Sequence, residues 1–293
     1  MTTTQDARRD DSGGIITITF TRDKKLNAVT LPMLEMLEEA GHDLASDDRQ
    51  RVLLITAEGR YFTSGGDIST MDPDMGLGSD GVFRGSNLRR QYRHRARHDF
   101  FDFLETVEKP VVLAAQGSCL GVGIELAASC DFRLAAEGAK FGLPEISNLG
   151  VLPGSGGISR LTRIVGAPWA KWIAMAGQTV DAQQAREIGL VQAVYPQAEF
   201  AARARAFAEQ LASCPREAVG LAKLAIDAAE HGDRRTARDV DRIAQTLLLT
   251  GPEYRQKIEA FLSRSPLPER SALPERSPLP ERSPSPGSDA RKA

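Results

Sequence analysis

The chain has 293 residues and a mass of 31.8 kDa, enough for one sizeable core or one core plus a small appendage. A net charge of −2 and a pI near 6.2 supply no general pull toward nucleic acid or anionic membranes. The three cysteines, Cys119, Cys130 and Cys214, are scattered and form no CxxC pair, which argues against a disulfide framework or a zinc site and for a reducing compartment.

In chain order, residues 1–11 are polar and carry Asp6, Asp10 and Asp11, so they read as a flexible N-terminus without the apolar core of a secretory signal. No apolar run approaches the roughly 20 residues that span a bilayer, and a cytoplasmic protein is expected. Ile15 to Phe20 alternates and is β-branched, which predicts a strand. Leu31 to Leu44 has helical spacing. The continuous apolar runs Val52 to Thr56 and Val111 to Ala115 predict strands buried on both faces, with Phe132 to Ala135 a third and shorter one. Strand and helix in alternation imply parallel β/α units with right-handed crossovers. Ile68 to Ser86, rich in Gly, Asp and Met, reads as a loop that walls or covers a pocket.

From Ile158 onward the pattern turns helical: Ile158 to Val165, Trp169 to Ala176, Ala182 to Ile188, Phe200 to Ala212, Arg216 to His231 and Arg235 to Leu249. The last segment carries three LPERS copies at a six-residue step and cannot bury a core. The expected organisation is a flexible 1–11, a β/α core over 12–195, a helical region over 196–264 and a disordered tail over 265–293.

Two glutamates sit in glycine-marked segments. Glu125 follows Gly121-Val122-Gly123, which lies between a predicted strand and a predicted helix; Glu145 ends Phe141-Gly142-Leu143-Pro144-Glu145. Paired carboxylates near a polarised carbonyl can move protons to and from carbon and water. The amides opening a helix at Val122, with one from the turn Phe62-Thr63-Ser64-Gly65-Gly66-Asp67, could form an oxyanion hole. Taken singly, such glycines also suit tight turns with no chemistry. Gly121-Val122-Gly123 lacks the third glycine of a dinucleotide fingerprint.

Together these residues resemble the crotonase family, the enoyl-CoA hydratases and isomerases. The resemblance runs through Leu26-Asn27-Ala28, Ala57-Glu58-Gly59, Phe62 to Asp67, Lys109-Pro110-Val111-Val112, the Glu125 segment and Cys130-Asp131. It continues through Phe141 to Glu145, Leu152 to Gly157, Ala182 to Val191 and Ala260-Phe261-Leu262, covering about residues 12–264. It implies an α/β fold, the crotonase-like β/α spiral of ββα repeats, with a helical C-terminal trimerisation region and assembly as a homotrimer or a dimer of trimers. By that resemblance Ser64 and Val122 donate the oxyanion-hole amides. Val122 stands where many members have glycine, but only its N–H is needed.

Retention of both Glu125 and Glu145 favours hydration of a 2-enoyl-CoA, with Glu125 as the water-activating base and Glu145 as the proton donor to C2. A double-bond isomerase or acyl-CoA hydrolase is the alternative, and a non-catalytic RNA-binding or scaffold relative a remote one. The resemblance also places Lys24, Ala28, Gly66, Asp67, Ile68, Gly123, Phe261 and Arg264 along the substrate and CoA path. Coenzyme A enters as part of the acyl-CoA thioester substrate, with no separate cofactor and no metal. One departure stands out: a residue more than the family pattern lies between Glu145 and Pro153, which predicts a bulge after Glu145. The arginines from Arg84 to Arg97, with His94 and His98, read as a solvated helix face or as a means of steering CoA phosphates.

Overall fold

The computed structural model describes residues 2–4, 6–70 and 96–264. The predicted loop beyond Thr70, the arginine-rich stretch up to Arg95 and the LPERS tail lie outside the described residues, as do the side chains of Arg97 and His98.

Gly13 and Gly14, with φ of 63° and 75°, make a two-residue turn that joins strands β2 (Ala7–Ser12) and β3 (Ile15–Phe20) in a hairpin with Ser12 opposite Ile15. A short β1 (Thr2–Thr3) pairs with β2. Residues 7–11, within the segment expected to be flexible, lie in this paired strand. Ala7 is fully buried, Arg9 pairs with Asp11 and Asp43, and Thr30 donates to Asp6 at 2.8 Å. Charged side chains on an outer strand with one small buried residue leave no hydrophobic alternation to read.

Among the described residues the main sheet has seven strands in the order β1-β2-β3-β4-β6-β8-β11. It adds β4 (Val52–Ala57), β6 (Val111–Ala115), β8 (Phe132–Ala136) and β11 (Ala193–Tyr195), parallel from β3 onward. Both faces are covered, as the continuous apolar runs require. Ile16, Ile18, Phe20, Leu53, Ile55, Leu113 and Ala115 join a core shared with α1 (Leu31–Ser46) and α2 (Ala96–Thr106). Ile15, Val52, Leu54, Val112, Ala114 and Leu134 pack on the other face with Phe200, Ala204 and Ala208 of a C-terminal helix.

A second sheet, ordered β10-β9-β7-β5, is made of strands of two or three residues: β5 (Tyr61–Thr63), β7 (Ser118–Leu120), β9 (Lys140–Gly142) and β10 (Val180–Asp181). These strands are too short for a periodic signal. The pairs β4/β5, β6/β7 and β8/β9 each place one strand in each sheet, which is the repeat of the spiral. Helices α3 (Val122–Ala128) and α4 (Glu145–Leu149) follow β7 and β9.

Helix α5 (Gly157–Ala170) covers the predicted Ile158 to Val165 and is broken at Gly166 (φ 76°), two residues before Pro168; a π-type turn, Lys171–Met175, follows. Then come α6 (Ala182–Glu187), α7 (Phe200–Ala212), α8 (Arg216–His231), α9 (Arg234–Thr250) and α10 (Pro252–Arg264). Lys223 of α8 pairs with the carboxylate of Asp131, which also accepts the Val111 N–H, tying that helix to the sheet. The chain divides into two units, residues 1–245 and 246–293. Among the described residues of the second, α10 carries exposed Tyr254, Ile258, Phe261 and Leu262. No helix among the described residues is long and apolar enough to cross a membrane.

Candidate active site

Three neighbouring parallel strands of the small sheet, β5, β7 and β9, release three turns at their carboxyl ends, where open α/β sheets bind ligands. Leu120 lies opposite Gly142, and Gly121 N–H donates to the Gly142 carbonyl at 3.0 Å. The turn after β5 supplies Ser64, Gly65 and Gly66, the turn after β7 supplies Gly121 and Val122, and the turn after β9 supplies Pro144 and Glu145. The first two turns touch: a Cβ built on Gly121 would sit 3.3 Å from the Gly65 Cα.

The amides of these turns are not equivalent. Ser64 N–H donates to the Leu26 carbonyl at 2.9 Å, so it is already spent, which removes Ser64 from the expected oxyanion pair. Gly65 N–H donates to Thr63 Oγ1 at 3.1 Å and Asp67 N–H to the Val29 carbonyl at 3.0 Å. Gly66 forms a parallel bridge with Val29 through its two neighbours, which turns its own N–H to the opposite side, and that N–H has no acceptor among the described residues. Val122 N–H opens α3, where the first amides have no acceptor within the helix. Among the described residues of these turns, Gly66 and Val122 are therefore donors that the fold leaves available.

Glu125 lies in the first turn of α3 and is buried, 4% exposed. Ser155 N–H donates to its Oε1 at 2.5 Å, and the Gly157 backbone faces the carboxylate. Burial chiefly, and then the like charge of Glu145, push its pKa up to about 7, against the pull of the Ser155 and Gly157 backbone and of Arg160. Gly157 is required here: a Cβ would meet Glu125 Cγ at 2.9 Å and Pro153 Cβ at 3.0 Å.

Glu145 opens α4 and is half-buried, with its pKa raised by burial. Its Oε2 is buried and has no hydrogen-bond partner among the described residues. The predicted bulge after Glu145 is not formed. Residues 145–149 make one helical turn that ends on Gly150 in the left-handed region (φ 66°), with the Val151 N–H reaching back to the Glu145 carbonyl.

Of the other expected residues, Ala28 and Asp67 share Arg22. Lys24 is exposed in the short turn Asp23–Lys25, and Ala28 is half-buried with its carbonyl held by Arg22. The Asp67 carboxylate is bound by Arg22 at 2.7 Å and by Ser69, which lowers its pKa. Ile68 is 62% exposed. Gly123 is buried where a Cβ would strike Thr63, so its place is one of packing. Phe261, 64% exposed, and Arg264 belong to α10 in the second unit. Sequence reasoning passed over Gly66 as a donor, and Ser155, Gly157 and Arg160 as the surround of Glu125; the glycines of Leu152 to Gly157 were the available signal.

The family model for enoyl-CoA hydratase/isomerase matches residues 10–267. The chain is 34% identical over 255 residues to 1,2-epoxyphenylacetyl-CoA isomerase of Escherichia coli, covering 86% of this chain and 94% of that protein. It is 31% identical over 258 residues to the short-chain-enoyl-CoA hydratase of Clostridium acetobutylicum, covering 87% and 94%. Among solved structures, the enoyl-CoA hydratase of Bacillus anthracis superposes with a TM-score of 0.77 at 30% identity, covering 89% of this chain and 97% of that one. With the β/α spiral, the paired glutamates and the free turn amides in place, the chain belongs to the enoyl-CoA hydratase/isomerase family, the crotonases, whose members act on acyl-CoA thioesters.

Proposed function

We propose that this protein hydrates a 2-enoyl-CoA to the 3-hydroxyacyl-CoA. The observation that carries the reading is the grouping, at the ends of adjacent strands, of a buried carboxyl, Glu125, and a half-buried one, Glu145, both with raised pKa, with two available amides, Gly66 and Val122.

The thioester oxygen accepts from the two amides, which stabilise negative charge as it develops there. Glu125 takes a proton from water while the water oxygen bonds to C3. The C2=C3 π electrons move toward the thioester carbonyl, and C2 then receives a proton from Glu145. One O–C3 bond and one C2–H bond form, and the proton left on Glu125 restores the pair after product leaves. Burial and like charge keep the two carboxyls from ionising together, so one can be acid while the other is base. Crotonyl-CoA tests the reading: loss of the conjugated-thioester absorbance is expected, and no loss with short or long 2-enoyl chains overturns it.

A double-bond isomerase is the second reading, favoured by the additional residue in the turn directly after Glu145. Formation of conjugated product from a 3-enoyl-CoA, without hydration, would establish it. On the same proposal Lys24, exposed beside Ala28, meets the CoA moiety, and the protein assembles as a trimer or a pair of trimers. Exposed Leu224, Ile226 and Ile243 on α8 and α9 are consistent with such burial between copies.

A further inference from the structure

We propose that Arg160 is the positioning residue for Glu125, acting through the backbone of Ser155 and anchored by Asp102 and Glu105. The inference rests on the reading of Glu125 as the base of hydration.

A chain of contacts carries it. Arg160 lies in the first turn of α5 and is buried, 3% exposed. Its Nη1 donates to the Ser155 carbonyl at 2.5 Å, and Ser155 N–H in turn donates to Glu125 Oε1 at 2.5 Å. Its Nη2 bonds Asp102 and, at 2.8 Å, Glu105, both on α2. The turn is shaped around the guanidinium: Gly156 has φ 85°, and a Cβ there would collide with Arg160 Nη1. Gly157 gives the same room to Glu125. Residues 153–157 are thus gripped on one side by a cation and present amides to a carboxylate on the other.

A buried guanidinium without partners is costly, so the acids on α2 are what allow Arg160 to remain inside. Burial works against its charge, but Glu105 and Asp102 outweigh this and hold its pKa raised. Among the described residues, further charged groups face the relay. Glu145 faces Glu125, while Arg163 shares Glu105 at 3.1 Å and reaches Glu230 at 3.5 Å. None of these substitutes for Arg160 at the Ser155 carbonyl. Fixing a reacting group within a fraction of an ångström is worth large factors in rate.

The test uses the full-length protein with Arg160→Met and Arg160→Lys. Three quantities are read: kcat and KM for crotonyl-CoA against pH, the melting temperature, and the titration of the Glu125 carboxyl by infrared difference against Glu125→Gln. Arg160→Met is expected to lower kcat about 100-fold with a smaller change in KM. It is also expected to move the acidic limb of kcat, and the Glu125 titration, to higher pH. Arg160→Lys keeps the charge but cannot hold Ser155 and both acids at once, so it recovers part of the loss. A folded Arg160→Met protein whose Glu125 titration is unmoved overturns the proposal, whatever happens to kcat. If the Met variant does not fold, an unmoved titration in Arg160→Lys overturns it equally. Wild-type protein that hydrates no enoyl-CoA defeats the functional reading, while the titration still decides the role of Arg160.

Discussion

A Cβ at Gly121 would lie 2.8 Å from Oε1 of Glu145, so a side chain on the residue that caps α3 would push the carboxyl that opens α4 out of its place. Gly121 also has φ 59°, outside the regions that L side chains favour. Gly121→Ala is therefore expected to cost about 1–3 kcal/mol of stability. It should also displace Glu145 and lower kcat about 100-fold. Thermal melting and the crotonyl-CoA assay check the two effects separately.

Glu145→Gln preserves volume and removes the proton that C2 requires. We expect kcat to fall about 10²–10⁴-fold with KM little changed. Retained hydration in this variant would show that the second carboxyl is not part of the chemistry.

Glu125 contributes to the dependence of stability on pH. Its folded pKa of about 7 lies above its ordinary value of 4.5, so the folded state holds the proton more tightly than the unfolded chain. The proton favours folding below about 4.5; that advantage is lost as pH rises to about 7 and is absent above it. The size is about 3 kcal/mol. Glu125→Gln should thus raise the melting temperature more at pH 8 than at pH 5, while losing hydration. Equal melting shifts at the two pH values would show that the carboxyl is not strained by burial.

Asn27 holds the path into the Ser64 turn. Its side-chain amide donates to the carbonyls of Glu58 at 2.8 Å and Tyr61 at 2.7 Å, and it sits at φ 50°, which asparagine tolerates better than alanine. Asn27→Ala leaves two carbonyls without this donor and should cost about 3 kcal/mol. Denaturant unfolding measures it, and the same variant should weaken activity by loosening the segment that receives Ser64 N–H.

Assembly is measured by light scattering coupled to gel filtration. A mass of three or six times the 31.8 kDa chain is expected. A monomer that retains full hydratase activity would remove self-association from the functional account.

Much of the fold was legible because its signals are local. Ile15–Phe20, Val111–Ala115, Phe200–Ala212 and Arg216–His231 occupy the residues that their periodicity predicts. The strands of the small sheet were not legible, since three residues carry no period, yet they are what carry the site. The N-terminal strand was hidden by its charges, although the Gly13-Gly14 pair marks its hairpin in the sequence.

The sequence by itself determined the long central strands and the C-terminal helices, the two glutamates and the family pattern around them, because these depend on residue type and near spacing. Only the tertiary structure decided which amides are free and what surrounds each carboxyl. Ser64 is spent on Leu26, 38 residues earlier, and Gly66 is left available. Glu125 is held by Ser155, which lies 30 residues later and is itself held by Arg160. A backbone N–H is the same group in every residue, so its availability is set by what lies opposite it in space. A carboxyl's pKa likewise depends on the water, charges and donors that folding removes or brings near it.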